Sequence, residues 1–217
     1  MFDVKKYLLD LFFPIQCLGC HKEGEWVCPS CFDKIRINFT GKISKNQFFT
    51  GILIAADYDQ KLLQEILKKY KYDFITGLGQ VLAEILNIFL KAKLEKSEID
   101  NFDLIIPVPL AKKRNIWRGF NQSEILARGV SQKYSWPKSS DILYRRYHTR
   151  PQVGLKAIDR KKNVKDIFKI KNHQLLKNKK ILLIDDVMTT GTTLQECAKI
   201  LKRSGAKEIW ALVIARG

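Results

Sequence analysis

Two adjacent carboxylates, Asp185 and Asp186, stand just before a run of small residues, Thr189-Thr190-Gly191-Thr192-Thr193. The apolar segment Lys180–Asp186 reads as a buried strand, and Thr192–Ser204 reads as a helix that ends at Gly205. In an open α/β sheet, ligands bind beyond the carboxyl ends of the strands. There the free amides of the loop and the first helical turn favour a phosphate. The threonine hydroxyls add donors, and Gly191 lets the backbone come close. Two acids beside a phosphate repel it unless they face something else, and ribose hydroxyls with a shared Mg²⁺ are suitable partners. A capped turn would explain acids near a helix start, but not the whole pattern. A nucleotide P-loop is excluded, because the chain has no G-x-x-x-x-G-K-[ST].

A second constellation is Cys17-x₂-Cys20-x₇-Cys28-x₂-Cys31, two C-x-x-C knuckles joined by a stretch that contains Gly24. Four thiolates at this spacing suit tetrahedral Zn²⁺ in a closed structural site. So short a segment has too little core to stand alone, and a metal would supply the missing stability. Two redox pairs are the competing reading, but no thioredoxin-like context surrounds either. Cys197, inside the helix after the small-residue loop, reads as a buried apolar residue.

Charge is distributed unevenly. The net charge is +17, yet residues 110–180 hold 20 Lys and Arg against 4 Asp and Glu, while the rest of the chain nearly balances. The basicity therefore belongs to one segment, as expected of a groove or loop that meets polyanions. Scattered lysines also serve as a solvated surface. That role accounts less well for Arg145, Arg146, Arg150 and Arg160. Trp117, Phe120, Tyr144 and Tyr147 are interleaved with these charges, a mixture that suits single-stranded nucleic acid.

The elements that must position these residues fall into two parts. Residues 1–40 carry the cysteines, and a polar connector, Thr40–Gln47, leads to an α/β domain over residues 50–217. In that domain a strand, Ile52–Tyr58, precedes two helical patterns, the first with Leu62, Leu63, Ile66 and Leu67 on one face. Asp103–Val108 reads as a buried strand, Asn121 or Ser123 caps a helix running through Val130, and Ile209–Ala215 is a further strand. Such alternation argues for a mainly parallel sheet flanked by helices. No apolar run approaches the ~18 residues needed to span a bilayer, and the N-terminus lacks a secretory cleavage pattern. Val4, Leu8, Leu11 and Phe12 share one helical face, which would pack on the sheet domain or lie at a membrane surface.

The string IDDVMTTGTT is similar to the signature with which type I phosphoribosyltransferases bind phosphoribosyl pyrophosphate (PRPP). The resemblance implies that Asp185 and Asp186 face the ribose hydroxyls and Mg²⁺, while Thr189–Thr193 cradle the 5′-phosphate. The stretch 105–127 resembles the pyrophosphate-loop region, with Lys112, Lys113, Arg114 and Arg118 as its cations. R-G-F-N-Q (118–122), the pattern T-x-x-Q-x-G-L followed by R-x-x-N-V within 145–168, and the cysteine cluster together resemble the ComF family of competence proteins. In phosphoribosyltransferases the region corresponding to 145–168 often forms a flexible loop that closes over PRPP. Arg145, Arg146, Arg150, Gln152, Lys156, Arg160 and Asn163 are then the candidates to reach PRPP or DNA.

The chain departs from the base-salvage pattern at Thr189, where several members carry an acid that handles a proton on the purine. No acceptor and no general base follow from the sequence, so catalysis stays an open question at this level. The ComF resemblance implies a cytoplasmic factor for natural transformation at the inner face of the inner membrane. It would handle incoming single-stranded DNA alongside a helicase-like partner. The alternative is an active transferase of nucleotide salvage with no DNA role.

Overall fold

The protein is described by a computed structural model covering residues 14–40, 45–146 and 167–217, with only the backbone of Lys112, Lys113 and Arg114. A short helix α1 (Pro29–Phe32) belongs to the cysteine segment. Strand β1 (Gly51–Asp57) leads into helices α2 (Lys61–Tyr72) and α3 (Leu78–Glu95). Strand β2 (Leu104–Pro107), the short helix α4 (Lys112–Arg118) and helix α5 (Gln122–Tyr134) follow. An antiparallel pair, β3 (Leu143–Arg145) and β4 (Phe168–Ile170), precedes β5 (Lys180–Met188), α6 (Thr192–Arg203) and β6 (Glu208–Arg216).

The main sheet runs β1-β6-β5-β2 with every neighbouring pair parallel. Its central strands are apolar on both faces because helices cover both. Leu182, Ile184, Leu212 and Ile214 join the core built with α2, α3 and α5. Ile181, Leu183, Ala211 and Val213 point the other way, into a core with Leu194, Cys197 and Leu201 of α6. Within residues 50–217 the strands and helices read from periodicity are present, with ends shifted by a few residues, and Asn121 is the cap of α5. The parallel α/β architecture expected from the alternating pattern is the one observed.

The cysteine segment is seated on this same body. Cys17, Val27, Cys31 and Ile35 are buried in one continuous cluster with Leu63, Leu67 and the sheet. Behind it, the buried Lys93 ammonium donates to Glu98 Oε2 at 2.8 Å and to the Phe39 carbonyl at 3.3 Å. A buried cation needs such partners. Through them, the end of α3 is tied to the chain leaving the cysteine segment. Among the described residues no helix is long and apolar enough to cross a membrane. The face formed by Val4, Leu8, Leu11 and Phe12 lies outside the described residues.

Helices α3 and α5 meet where neither has bulk: a Cβ at Gly129 would stand 2.5 Å from the Cβ of Ala83. Overpacking of this kind typically costs about 1–3 kcal/mol. Gly129→Val is therefore expected to lower the unfolding free energy by that amount, read as a lower urea midpoint at unchanged m-value, with helical circular dichroism retained below the transition.

Candidate ligand and metal sites

Strand β5 carries Asp185 and Asp186 to the carboxyl edge of the sheet, beside Val213 of β6 and one residue past the Pro107–Ile184 pairing with β2. The two carboxylates are compensated differently. Asp186 is buried, and Lys71 Nζ, from the last turn of α2, lies 3.0 Å from its Oδ1. Asp185 accepts hydrogen bonds from Ser123 Oγ at 2.8 Å and from the Asp186 amide at 2.9 Å. Burial, followed by the charge of Asp186, raises the Asp185 carboxyl to about 7, against the lowering effects of Ser123, the Asp186 amide and Lys71.

Thr189, Thr190, Thr192 and Thr193 are exposed around a recess of about 50 Å³, the size of a small anion, with Asp185 on its wall. Gly191 sits in the left-handed region at φ 74° and starts α6 with no side-chain cap. The amides of the first helical turn are therefore left to the recess, apart from a 3.4 Å contact of the Thr192 amide with Thr190 Oγ1. All seven residues expected at this site, Asp185, Asp186 and Thr189–Thr193, stand on one strand–loop–helix unit.

The stretch after β2, expected as a pyrophosphate loop, is partly helical: α4 runs over 112–118 and ends at Gly119, φ 74°, whose amide donates to the Asn115 carbonyl. Lys112, Lys113 and Arg114 lie on its first turn, with their side chains outside the description. Arg118 stacks its guanidinium over Tyr72 at 5.5 Å and Trp117 at 6.0 Å.

The R-G-F-N-Q string serves as a bracket. Phe120 packs on Tyr70 at 5.6 Å, the Asn121 side-chain Nδ2 donates to the Val108 carbonyl, and the Gln122 carbonyl accepts from the buried Tyr70 hydroxyl at 2.9 Å. The bracket delivers Ser123 to Asp185. Sequence reasoning saw Ser123 only as a cap and did not single out Lys71 at all, because it is one of four lysines between residues 61 and 71.

At the feet of the basic arm, Arg145 lies over the Phe168 ring at 5.7 Å, and the Arg146 amide donates to the Ile167 carbonyl at 2.7 Å. Arg150, Gln152, Lys156, Arg160 and Asn163 lie outside the described residues.

The four thiols Cys17, Cys20, Cys28 and Cys31 converge, their sulfurs all within 4.8 Å of one another. Cys20 and Cys28 are 3.6 Å apart, and the amides of Gly19 and Cys28 donate to Cys17 Sγ at 3.4 and 3.3 Å. Burial would raise the Cys17 thiol, but these amides and that of Cys20 outweigh it and hold the group at about 6. Burial and the neighbouring thiols push Cys31 up to about 12. Gly19 makes the convergence possible, since a Cβ there would meet Cys31 Sγ at 2.7 Å. Four soft donors in one shell, some already held by amides, fit a structural metal such as zinc. Cys197 is fully buried beneath α6, as expected of a thiol used for packing.

A parallel sheet with paired carboxylates and a threonine cradle at its carboxyl edge defines a phosphoribosyltransferase-like site. The chain belongs to the phosphoribosyl transferase domain family, whose model matches residues 106–217. More closely, it is a member of the ComF/YhgH family of competence proteins with such a domain. It is 28% identical over 208 residues to Competence protein F of Haemophilus influenzae, covering 92% of this chain and 90% of that one. It is 29% identical to Competence protein ComFC of Streptococcus pneumoniae, over 89% of this chain and 82% of that one. It is likewise 29% identical to DNA utilization protein YhgH of Escherichia coli, over 74% and 70%.

Among solved structures, a purine phosphoribosyltransferase from Pyrococcus horikoshii matches 63% of this chain and 83% of its own at 21% identity, with a TM-score of 0.40. The glutamine PRPP amidotransferase from B. subtilis matches at 18% identity and a TM-score of 0.39, covering 62% of this chain. The match spans 24% of the amidotransferase chain.

The Asp185 environment makes a pH prediction. The folded carboxyl keeps its proton to about pH 7, whereas an unfolded one loses it near pH 4. The folded state binds more protons in that window, so this group's contribution to stability falls as the pH climbs through it. Thermal melts of the ligand-free protein are expected to show that decline. In Asp185→Asn, whose amide does not titrate, the decline should be smaller.

Proposed function

We propose that this chain is a natural-transformation factor that binds PRPP with Mg²⁺ and handles incoming single-stranded DNA in the cytoplasm. The observation that carries the PRPP part is the strand–loop–helix unit, with Asp185 and an uncapped threonine cradle around one recess and Asp186 next to it on the strand. In this reading the amides and hydroxyls of Thr189–Thr193 hold the 5′-phosphate. Asp185 and Asp186 take the ribose hydroxyls and supply hard oxygen donors to the Mg²⁺ that PRPP brings. Lys71 contacts Asp186 at 3.0 Å, so this carboxylate accommodates a cation. Lys112, Lys113, Arg114 and Arg118 form the pyrophosphate side.

The DNA part is supported by the concentration of charge in residues 110–180 and by the likeness to relatives named for competence and DNA utilization. The arm residues Arg145, Arg146, Arg150, Gln152, Lys156, Arg160 and Asn163 are its candidate contacts. A helicase-like partner and contact with the inner membrane belong to the same proposal. We assign Zn²⁺ to the four cysteines, as the structural metal of a module spanning residues 1–40 appended to the domain over 50–217.

An ordinary salvage transferase fits less well. Among the described residues the recess carries no carboxylate other than Asp185, and Thr189 stands where base-salvage members place an acid.

Calorimetric titration of PRPP in the presence of Mg²⁺ is expected to show saturable binding. Asp186→Asn and Thr192→Val should each weaken it roughly 10- to 100-fold, the range for a lost hydrogen bond to a charged group. Unchanged affinity in both would overturn the site. For the metal, elemental analysis is expected to find one zinc per chain. Chelation should expose the amides of residues 14–40 to hydrogen exchange before those of the main sheet. Zinc-free protein with full protection there would contradict the assignment.

A further inference from the structure

One face of the molecule has no place in the reading above. Of the eight exposed large apolar side chains among the described residues, five gather around α2 and α4: Tyr58, Tyr72, Phe74, Ile116 and Trp117. Trp117, 58% exposed, packs edge-on to Phe74 at 5.0 Å and lies 6.3 Å from Tyr72, and Arg118 stacks over both Tyr72 and Trp117. Despite these contacts the three rings stay open to solvent, Tyr72 at 55%, Phe74 at 37% and Trp117 at 58%.

Along α2 the face continues as a recess of about 510 Å³, with Tyr58 at one end and Tyr72 at the other. Lys61, Lys68 and Lys71 stand between them. Among the described residues, Lys61 and Lys68 have no ion-pair partner, while the one acid on this wall, Glu65, is engaged by Lys69 at 3.7 Å. Lys71 is the wall shared with the ligand site, since its ammonium reaches Asp186. The recess therefore opens beside the carboxylate pair.

Rings and unpaired lysines in alternation suit a chain that presents flat apolar groups and regular anions together. Protein surfaces seldom do so, and unstacked nucleic acid does. Length separates a strand from a free nucleotide. Twelve residues of α2 rise about 18 Å, a span of several nucleotides of unstacked strand, so a mononucleotide would reach one end of the recess only.

We propose that the α2–α4 face is the track on which single-stranded DNA lies, its bases stacking on Tyr72 and Trp117 and its phosphates meeting Lys61 and Lys68. The track leads to the Asp186 edge of the ligand site. This rests on the single-strand reading given above. It places the base contacts on Trp117 and on Tyr72, which the sequence did not single out, rather than on the arm at 145–168.

The test uses the full chain and a dT₁₂ oligomer. Trp136 and Trp210 are 6% exposed, so Trp117 is the chief solvent-facing reporter, with the half-buried Trp26 as a lesser contributor. Wild type is expected to show quenched tryptophan fluorescence on dT₁₂ binding, and Trp117→Leu is expected to lose most of that quench. The Tyr72→Ala/Trp117→Leu pair should bind dT₁₂ at least ~10-fold more weakly, from 1–3 kcal/mol per stacked base. Trp117→Phe should restore much of the affinity. An abasic oligomer of equal length should bind wild type and the double variant alike. Lys61→Gln/Lys68→Gln should lower the salt slope by about 1.4, for two phosphates.

No binding of dT₁₂ by wild type sinks the single-strand reading and this proposal with it. Binding that is indifferent to all of these variants, or lost only on substituting arm arginines, overturns the track alone. Equal quenching by dTMP at matched concentration, with the same variant dependence, makes the face a mononucleotide site instead. Both Tyr72 and Trp117 are exposed, so the variants are expected to fold, and circular dichroism confirms it in each case.

Discussion

Two neighbouring carboxylates at the end of a buried parallel strand impose the requirement around which this molecule is arranged. Alternation along β5 sends Asp185 and Asp186 to opposite faces of the sheet, so each needs compensation from a different direction. Asp186 meets Lys71 from the last turn of α2, and Asp185 meets Ser123 from the first turn of α5. Both helices are held to that register by the Tyr70 hydroxyl on the Gln122 carbonyl. The bracket around Phe120, Asn121 and Gln122 is therefore understandable as support for an electrostatic pair rather than as a binding motif. An unpaired buried carboxylate would be costly. Asp185 is only partly compensated, and its carboxyl is raised accordingly.

The same helix connects the two ends of the protein. Its first turn packs under the cysteine cluster: the backbone at Gly19 lies close enough to Leu62 that an added methyl would touch it, and Leu63 shares a core with Cys17 and Cys31. Its last turn carries Lys71 to the carboxylates. A metal that orders the cysteine segment would thus also fix the N-terminal seating of α2, and through one rigid helix the position of the cation at Asp186. The exposed side of that helix is free to meet a partner because its buried side, Leu63, Ile66, Leu67 and Tyr70, supplies the packing.

Much of the site was legible before the fold was known because its parts are contiguous. Strand, carboxylates, threonine loop and helix fall within residues 180–203, and the four cysteines within 17–31. A βα unit binds phosphate with its own amides, so local sequence suffices to describe it. The same holds for the strands, whose apolar runs are continuous because both faces are covered. Where the reading was coarser, the reason is equally local. The stretch after β2 is basic enough to suggest a loop for phosphates, yet Gly119 in the left-handed region closes a short helix there.

Residue types and spacing by themselves determined the parallel α/β class, the strand–loop–helix unit with its acid pair and threonines, and the four-thiol cluster. The tertiary structure alone decided which lysine faces Asp186, that Ser123 is a site residue rather than only a cap, and that Tyr72, Phe74 and Trp117 share one surface. Periodicity sets which residues of a helix share a face. What that face meets depends on the strand order β1-β6-β5-β2 and on helix packing across it, which bring α2, α4 and the end of β5 together from distant parts of the chain.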